Sequence, residues 1–204
     1  MNDDGAALIP ERDLRRRLAD ARVALVGCGG LGSNAAAMLV RSGVKKLTLI
    51  DFDRVDESNL NRQLFFRDQL GALKTEALAA TLRRIHSDLE LRLVSEFMTP
   101  ENLVAHVSDA DVIIEAADCA ETKAMVVDVC TRQLPDAPLV AASGLAGYDS
   151  ANDIRTQQLA DRVWVIGDLA SDVREGHPLL ASRVMVAAAH EAHAAVRIIL
   201  GLEP

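Results

Sequence analysis

A cluster of four glycines after a short apolar run constrains the fold of this chain more than any other feature. The run Val23–Val26 leads into Gly27, Gly29, Gly30 and Gly32, which open a segment of small residues. A strand, a glycine turn and a helix in this order form the G-x-G-x-x-G pattern of nucleotide-binding α/β domains. Glycines let the backbone approach a ligand closely, and free amide groups at a helix start favour phosphate or another anion. We therefore expect a nucleotide at this turn.

Strand and helix patterns alternate five times along the first two thirds of the chain. Predicted strands cover residues 22–27, 46–51, 90–94, 111–116 and 138–142. Predicted helices cover residues 10–21, 31–42, 72–86 and 121–133, and a short helix begins at Thr99-Pro100. Pro10 is expected at the first position of the first helix. The alternation predicts an α/β fold with a Rossmann-like, doubly wound and mostly parallel sheet.

The pattern changes after residue 144. Residues 155–159 and 162–166 are predicted to pair as short antiparallel strands, and residues 182–200 form a helix throughout. We expect one domain over residues 1–204, made of a helical segment (1–21), a nucleotide-binding core (22–147) and a C-terminal extension (148–204).

Charge and composition argue against two classes of partner. The 204 residues carry a net charge of −8, whereas a nucleic-acid-binding face is normally basic. No apolar run approaches the roughly 20 residues that span a bilayer, and the N-terminal segment lacks the apolar core of a signal peptide. The simplest expectation is a cytoplasmic protein with no membrane and no nucleic-acid partner.

Cysteines and histidines give no clear metal site. Cys28, Cys119 and Cys130 are odd in number and form no C-x-x-C pair, which argues against disulfides and structural zinc. Small reduced space-fillers are the favoured interpretation, and a reactive cysteine is the alternative. His190 and His193 lie three residues apart without a third ligand nearby, so ordinary core or surface histidines are expected.

Asp51 follows the second predicted strand, where an acceptor can bind both ribose hydroxyls of a nucleotide. Its charge also disfavours a 2′-phosphate, so NADP is not expected. Asp53 lies two residues on and is assigned either to the same site or to a cap of the following loop.

Three polar residues after Asp51 distinguish phosphate chemistry from hydride transfer. The glycines alone are equally consistent with an NAD-dependent dehydrogenase. Asn59, Arg62 and Lys74, however, would bring two cations to phosphates that need neutralising, for which a dehydrogenase has little use. The alternative is that Arg62 and Lys74 are surface charges. Lys74 falls in a predicted first helical turn, where the helix dipole disfavours a cation unless an anion is present.

Asp118 follows the fourth predicted strand, at the sheet edge where ligands bind in such folds. A carboxylate there can hold Mg²⁺ against substrate phosphates. The alternative is that Asp118 caps the helix at 121–133. Glu115 is a weaker candidate, because its side chain can face the core edge or a neighbouring residue instead.

The motifs resemble the ThiF/MoeB family, the bacterial relatives of ubiquitin-activating enzymes. The stretches that carry the resemblance are G-C-G-G-L-G-S-N, D-F-D-R-V-D-E-S-N-L-N-R-Q, G-A-L-K and A-A-D-C. The S-N-L-N-R-Q block, with a lysine twelve residues after its arginine, is the most specific of them. The later stretches A-A-S-G-L-A-G-Y, V-I-G-D and A-A-H-E-A-H resemble the short ThiF subfamily of sulfur carrier protein (ThiS) adenylyltransferases. The likeness covers about residues 20 to 201.

The resemblance implies that ATP and Mg²⁺ activate the C-terminal Gly-Gly carboxylate of a small ubiquitin-like sulfur carrier as an acyl-adenylate, in thiamine thiazole synthesis. It also implies a homodimer. The residues expected to bind the nucleotide are Gly27, Gly29, Gly30, Gly32, Asp51, Asp53, Asn59, Arg62, Gln63 and Lys74. Arg62, Lys74 and Asp118 are the expected catalytic residues, and Asp118 is the expected Mg²⁺ ligand.

Several departures from the family pattern restrict the reaction that we expect of this chain. Cys119 replaces the usual asparagine, and Glu115 stands where an aspartate is common. Paired C-x-x-C motifs are absent and no cysteine follows Cys130, so the chain is expected to stop at the adenylate. The family's R-Y-x-R-Q segment has no counterpart, and nothing selects among Arg12, Arg15 and Arg16 as a substitute. Two other functions stay open: adenylation of a small-molecule carboxylate, and a nucleotide-binding module without turnover.

Overall fold

A seven-stranded sheet forms the centre of the computed structural model, which describes residues 8–173 and 176–204. The strands are β1 (Arg22–Val26), β2 (Lys46–Ile50), β3 (Glu90–Val94), β4 (Val112–Glu115), β5 (Leu139–Ala142), β6 (Arg155–Ala160) and β7 (Val163–Gly167). Their order is β3-β2-β1-β4-β5-β7-β6. Five pairs are parallel, and β6 alone runs antiparallel, against β7. The expected doubly wound, mostly parallel α/β fold is confirmed.

Helices cover both faces of the sheet. They are α1 (Glu11–Asp20), α2 (Gly30–Ser42), α3 (Lys74–Ile85), α4 (Pro100–Val107), α5 (Ala120–Gln133) and α6 (Ala181–Ile199). On β1, Val23 and Leu25 join the core under α2, α3 and α6, whereas Ala24 and Val26 join the core under α4 and α5. Because both faces are buried, the strand is apolar at every position after Arg22 instead of alternating.

The strand order reverses at β1, which gives the sheet its ligand-binding crevice. The chain moves outward from β1 to β2 and β3, then returns to place β4 on the other side of β1. In such sheets ligands bind outside the carboxyl ends of the strands at this switch point. The glycine turn after β1, Asp51 after β2 and Asp118 after β4 all lie at that edge.

Most predicted elements differ from the structure by one or two residues. Gly43 ends α2 with a left-handed φ of 111°, and Asn102 Oδ1 accepts from the Thr99 amide at 2.8 Å at the start of α4, as expected for these two caps. Pro10 is a correction: it lies at the cap position, one residue before α1. The predicted antiparallel pair is confirmed, but its turn is formed by Asp161 and Arg162, and it joins the main sheet through β7.

The last helix packs on the helix that starts at the glycine turn. Nine residues of α2 are buried, because α6 covers the side that the sheet leaves free. No helix in the described part of the chain is both long and apolar enough to cross a membrane.

Candidate nucleotide-binding site

Two glycines of the turn are required by the packing of the protein itself. Gly27 has a φ of 104°, and a Cβ there would lie 2.5 Å from the carbonyl oxygen of Ala116. A Cβ on Gly32 would overlap the Gly27 carbonyl oxygen. Gly29 differs, since only the Gln63 amide nitrogen would lie within 4 Å of a Cβ there, at 3.7 Å. Gly27 and Gly32 therefore let α2 approach the turn, and Gly29 leaves space beside it.

Asp51 lies directly beside the glycine turn. Its Oδ2 accepts from the Cys28 amide at 2.7 Å, and its Oδ1 accepts from the Asp53 amide at 2.8 Å. Burial raises the pKa of Asp51 above its ordinary value, and the nearby Lys74 ammonium opposes that rise. Both oxygens are thus fixed in direction, with lone pairs left for further donors.

Lys74 is a buried cation at the first position of α3. The residue is only 4% exposed, and its Nζ lies 2.7 Å from Asp53 Oδ2. The alternative that Lys74 is a surface charge is therefore wrong. Asp53 compensates for the unfavourable dipole at the helix start, and the ammonium also acts on Asp51. An ammonium and two carboxylates thus meet at the edge of the sheet.

The loop after Asp53 is ordered by its own side chains. Asn59 Oδ1 accepts from the Asp56 amide at 3.1 Å, and Asp56 Oδ1 accepts from the Ser58 amide at 2.9 Å. These bonds cap a short 3₁₀ helix, Glu57–Asn59. Asn59, which the motif predicts at the phosphates, therefore has a structural contact within the loop.

Arg62 lies against the first turn of α2. A Cβ on Gly30 would be 3.5 Å from Arg62 Cγ. Asn34 Nδ2 donates to the carbonyl oxygens of Arg62 and Gly30, at 3.0 and 2.7 Å. Arg62 Nη1 donates to Asn61 Oδ1 at 2.8 Å. The guanidinium is partly exposed, and no carboxylate among the described residues pairs with it.

Gln63 carries a buried polar atom with unused hydrogen-bonding capacity. The residue is 8% exposed, and its Oε1 has no hydrogen-bond partner in the described part of the chain. Leaving a buried acceptor unsatisfied is costly, so this oxygen needs a further partner, which a ligand or a water molecule can supply. A Cβ on Gly29 would lie 3.7 Å from Gln63 Nε2, which places this side-chain amide beside the glycine turn.

Asp118 is exposed in the turn between β4 and α5. Among residues 8–173 and 176–204 it makes no hydrogen bond or ion pair. The alternative that it caps α5 is wrong, because Cys119 occupies the cap position. Glu115 is buried and pairs with Lys123 at 3.0 Å, so it is not available at the edge. Asp118 is thus a free carboxylate at the sheet edge.

The sequence model of the ThiF family matches residues 5–162, which is more than three quarters of the chain. The chain belongs to the ThiF family. It thereby falls in the wider ThiF/MoeB superfamily of ubiquitin-activating-enzyme relatives, and the resemblance predicted from the motifs is confirmed.

The relatives of this ThiF-family chain have names that describe more than one activity. The tRNA threonylcarbamoyladenosine dehydratase of Escherichia coli (strain K12) is 36% identical over 159 residues, 77% of this chain and 58% of the relative. The sulfur carrier protein ThiS adenylyltransferase of Bacillus subtilis (strain 168) is 37% identical over 122 residues, 58% of this chain and 36% of the relative. The chain thus spans less than two thirds of either relative.

A solved structure agrees with the fold over nearly the whole ThiF-family chain. The E. coli tRNA threonylcarbamoyladenosine dehydratase, in complex with ATP, superposes with a TM-score of 0.84 and 26% identity. The match covers 93% of this chain and 89% of that one.

Two side chains of α2 hold the loop after Asp53, a role that the sequence pattern does not indicate. Ser33 Oγ accepts from the Leu64 amide at 3.0 Å, and Asn34 binds the Arg62 carbonyl. The signal was present in the S-N pair that follows the glycines. Its meaning depends on a loop 28 to 31 residues later, which a local pattern does not show.

The remaining candidates lie apart from this edge or are otherwise engaged. His190 Nδ1 lies 3.1 Å from Thr156 Oγ1, and His193 is exposed. Arg15 and Arg16 form exposed ion pairs within α1, with Glu11 and Asp13. No group of three His, Cys, Asp or Glu side chains in the described ranges could hold a metal by itself.

Proposed function

We propose that the chain is an ATP-dependent adenylyltransferase that activates a carboxylate. The observation that carries the proposal is the buried Lys74 ammonium, 2.7 Å from Asp53 and next to Asp51, beside a glycine turn that Arg62 contacts. Two cations at this edge suit a nucleoside triphosphate, whereas a dinucleotide needs only the helix start and the ribose acceptor. The ATP complex of the E. coli dehydratase and the name of the B. subtilis adenylyltransferase support it.

Each of the residues at this sheet edge has a proposed role in binding or positioning the nucleotide. In the proposal, Asp51 accepts from the ribose hydroxyls and the amides of the glycine turn bind a phosphate. Gln63 Oε1, unpartnered beside Gly29, is available to a donor on the nucleotide. Arg62 and Lys74 stabilise the charge that moves onto pyrophosphate as it leaves.

The reaction itself needs little acid–base chemistry. A substrate carboxylate oxygen attacks the α-phosphorus, the bond from the α-phosphorus to the bridging oxygen breaks, and pyrophosphate leaves with that bonding pair. The carboxylate is already ionised near neutral pH, so the protein contributes orientation and electrostatic stabilisation.

Asp118 is the proposed ligand for Mg²⁺. Its exposed, unpartnered oxygens fit an ion that prefers oxygen ligands and completes its shell with water and substrate phosphates. When bound, Mg²⁺ would neutralise phosphate charge. One carboxylate suffices for this arrangement, in agreement with the lack of a larger ligand cluster among the described residues.

We further propose that the carboxylate belongs to the C-terminal Gly-Gly of a small ubiquitin-like sulfur carrier, as in thiamine thiazole synthesis. The similarity to the B. subtilis ThiS adenylyltransferase supports this choice, and so does the net charge of −8. A net negative charge disfavours association with a polyanion. A single domain, a cytoplasmic location and a homodimer complete the proposal, and sedimentation velocity tests the last of these.

A tRNA-linked substrate is the second candidate. The E. coli tRNA threonylcarbamoyladenosine dehydratase is similar to this chain in both sequence and structure. A threonylcarbamoyl group also ends in a carboxylate that ATP could activate. The net charge is the observation against it.

ATP–pyrophosphate exchange, with radiolabelled pyrophosphate, separates the candidates. We expect exchange that depends on an added carrier protein ending in Gly-Gly. The same carrier without its last two residues is the matched control. Exchange that requires only a small carboxylic acid, or only tRNA carrying threonylcarbamoyladenosine, would contradict the carrier assignment. Tight ATP binding with no exchange under any of these conditions would indicate a nucleotide-binding module without turnover.

A further inference from the structure

Arg183 is a buried cation that the proposed nucleotide contacts do not involve. It lies in the first turn of α6 and is only 3% exposed. A positive charge is unfavourable at a helix start, because the helix dipole already places partial positive charge there. No acidic residue lies in that first turn to offset it. Burial and position therefore both disfavour this arginine unless it has a specific task.

The guanidinium of Arg183 joins two segments from separate parts of the chain. Its Nη1 donates to the carbonyl oxygens of Asp149 and Ser150, at 2.6 and 2.8 Å, in the segment after β5. Its Nη2 donates to Asp168 Oδ2 in the turn after β7. Because these hydrogen bonds share one planar group, Arg183 fixes both segments relative to the start of α6.

Asp168 gives the turn after β7 its shape. Its Oδ1 accepts from the amides of Ala170 and Ser171, both at 2.8 Å. Burial alone would raise the pKa of Asp168, but these amides and the Arg183 guanidinium lower it below its ordinary value, so the carboxylate is ionised. Leu169, inside the turn, has a φ of 60°, a left-handed conformation that a bulky residue rarely adopts. The buried ion pair therefore holds the backbone in an unusual shape.

The turns after β5 and β7 also pack directly on each other. The Asp168 amide donates to the Gly144 carbonyl oxygen at 3.0 Å. A Cβ on Gly144 would overlap Asp168 Oδ1, and a Cβ on Gly167 would overlap the Ser143 carbonyl oxygen. The two turns thus form one continuous surface, in which neither glycine position has room for a side chain.

This surface lies next to the proposed nucleotide site. We call residues 143–150 and 168–171 together the β5–β7 rim. The proposed nucleotide contacts follow β2, β1 and β4, and β5 and β7 are parallel strands that extend the same sheet edge beyond Asp118. Val184, in the first turn of α6, lies 3.1 Å from a Cβ placed on Gly30. A substrate that attacks the α-phosphorus needs a binding surface beside the phosphates, and the rim lies there.

We propose that the β5–β7 rim binds the peptide that carries the reacting carboxylate, and that Arg183 and Asp168 are positioning residues that set the shape of the rim. This proposal rests on the proposed adenylyl transfer to a carrier protein. Tyr148 and Leu169, which are 77% and 48% exposed, give the rim apolar contacts for an extended peptide. The peptide in question is the C-terminal segment of the carrier.

Kinetics separate a positioning role from a purely structural one. Arg183→Lys keeps the charge but loses the planar fork that reaches three acceptors. Asp168→Asn keeps the shape of the acid and removes its charge. In each variant, we expect the carrier concentration that gives half-maximal ATP–pyrophosphate exchange to rise by at least about tenfold. ATP affinity, measured by calorimetry, should stay within about twofold, because the nucleotide contacts are unchanged.

Arg132→Lys and Asp128→Asn are the matched controls, because these two residues form an exposed ion pair on α5. Both should leave the carrier concentration for half-maximal exchange within about twofold of the wild type. If Arg183→Lys and Asp168→Asn behaved like these controls, the positioning role would be overturned. It would also be overturned if they weakened ATP binding as much as carrier binding. Should Arg183→Lys fail to fold, Asp168→Asn decides alone.

Hydrogen exchange gives a readout that does not depend on turnover. In the wild type with ATP, a ThiS-type carrier ending in Gly-Gly should slow amide exchange in residues 143–150 and 168–171 by at least about tenfold. The same carrier without its last two residues should not, and Arg183→Lys and Asp168→Asn should lose the protection.

The two measurements distinguish failure of the rim from failure of the proposed function. Carrier-dependent pyrophosphate exchange without protection of the β5–β7 rim would overturn the rim as the binding surface and leave the proposed function intact. Protection of the rim without any pyrophosphate exchange would support the rim and contradict adenylyl transfer. Exchange supported only by tRNA or by a small acid would overturn the peptide assignment.

Discussion

Asp51 and Asp118 are two carboxylates at the same sheet edge with opposite surroundings. Asp51 follows β2 and accepts two backbone amides, at 2.7 and 2.8 Å, in a partly buried position. Asp118 follows β4, is exposed, and has no partner among the described residues. The protein has therefore fixed one carboxylate and left the other free.

This difference matches two kinds of ligand chemistry. Recognition of a ribose requires acceptors that point in fixed directions, and backbone donors hold Asp51 in that way. A Mg²⁺ ligand instead needs free lone pairs, and a carboxylate already bound to amides has fewer of them. The contrast predicts that changes at Asp51 affect folding and nucleotide affinity, whereas changes at Asp118 affect turnover alone.

The largest effect is expected from Asp118→Ala. Carrier-dependent pyrophosphate exchange should fall by at least about 1,000-fold, because a charge that stabilises the moving phosphates is lost. The free energy of unfolding should change by less than about 0.5 kcal/mol, since the side chain is exposed and unpartnered. Pyrophosphate-exchange assays measure the loss of activity, and urea titration measures the free energy of unfolding. An unchanged rate of exchange would show that Asp118 has no role in the reaction.

Lys74→Met should have the next largest effect. The variant keeps the aliphatic stem but leaves Asp51 and Asp53 without the ammonium that neutralises them. We expect exchange to fall by about 100-fold, with a clear loss of stability, because the cation is buried. Lys45→Met is the control for loss of a lysine charge. If both variants behaved alike, Lys74 would be a structural cation only.

Asp51→Ala should weaken nucleotide binding and folding together. The amides of Cys28 and Asp53 lose their acceptor, which costs about 1–3 kcal/mol for each group left buried and unsatisfied. ATP affinity, measured by calorimetry, should fall by about tenfold or more. If ATP affinity were retained while stability fell, Asp51 would only support the turn.

The pH dependence of ATP binding is a second test of Asp51 as a hydrogen-bond acceptor for the nucleotide. Burial raises the pKa of Asp51 above the ordinary 3.8. Protonation removes an acceptor, so ATP affinity should weaken as pH falls through this raised pKa, earlier than for an ordinary aspartate. Asp51→Asn cannot titrate, and its affinity should lack this fall. Calorimetry between pH 4.5 and 8 compares the two.

The smallest effect is expected from the cysteines. Cys28 and Cys130 are buried, and Cys119 is exposed beside Asp118. Replacing Cys119 by serine and the other two by alanine should keep exchange per folded molecule within about twofold, with some loss of stability from the buried positions. A folded but inactive triple variant would show that a thiol takes part in the reaction.

Residues whose position depends on a nearby strand end could be predicted from the sequence. Asp51 and Asp118 each follow an apolar run, and in a doubly wound sheet such positions lie at the ligand edge. The position of Lys74 in the first turn of a helix could be predicted from the sequence, but its burial could not. Its first-turn position signalled an anion, but its burial depends on Asp53, 21 residues earlier, and on the course of the loop between them.

The ion pair of Glu115 with Lys123 and the burial of Glu191 could not be predicted. Glu115 lies in an apolar strand and Glu191 in an alanine-rich helix, and local pattern does not show what surrounds either side chain. The burial of Glu191 depends on α6 packing on α2 and on the sheet, contacts made between distant parts of the chain. Such long-range charge placement follows from packing, which periodicity does not encode.

The packing of α6 on α2 also has a consequence for biosynthesis. The helix that follows the glycine turn packs most extensively against α6, which comes much later in the chain, and Val184 of α6 lies beside Gly30. A nascent chain therefore exposes the apolar side of α2 until α6 has left the ribosome. Contacts between such distant segments slow folding and lengthen exposure to aggregation. We expect truncation before α6 to abolish ATP binding, even though every proposed nucleotide ligand would still be present.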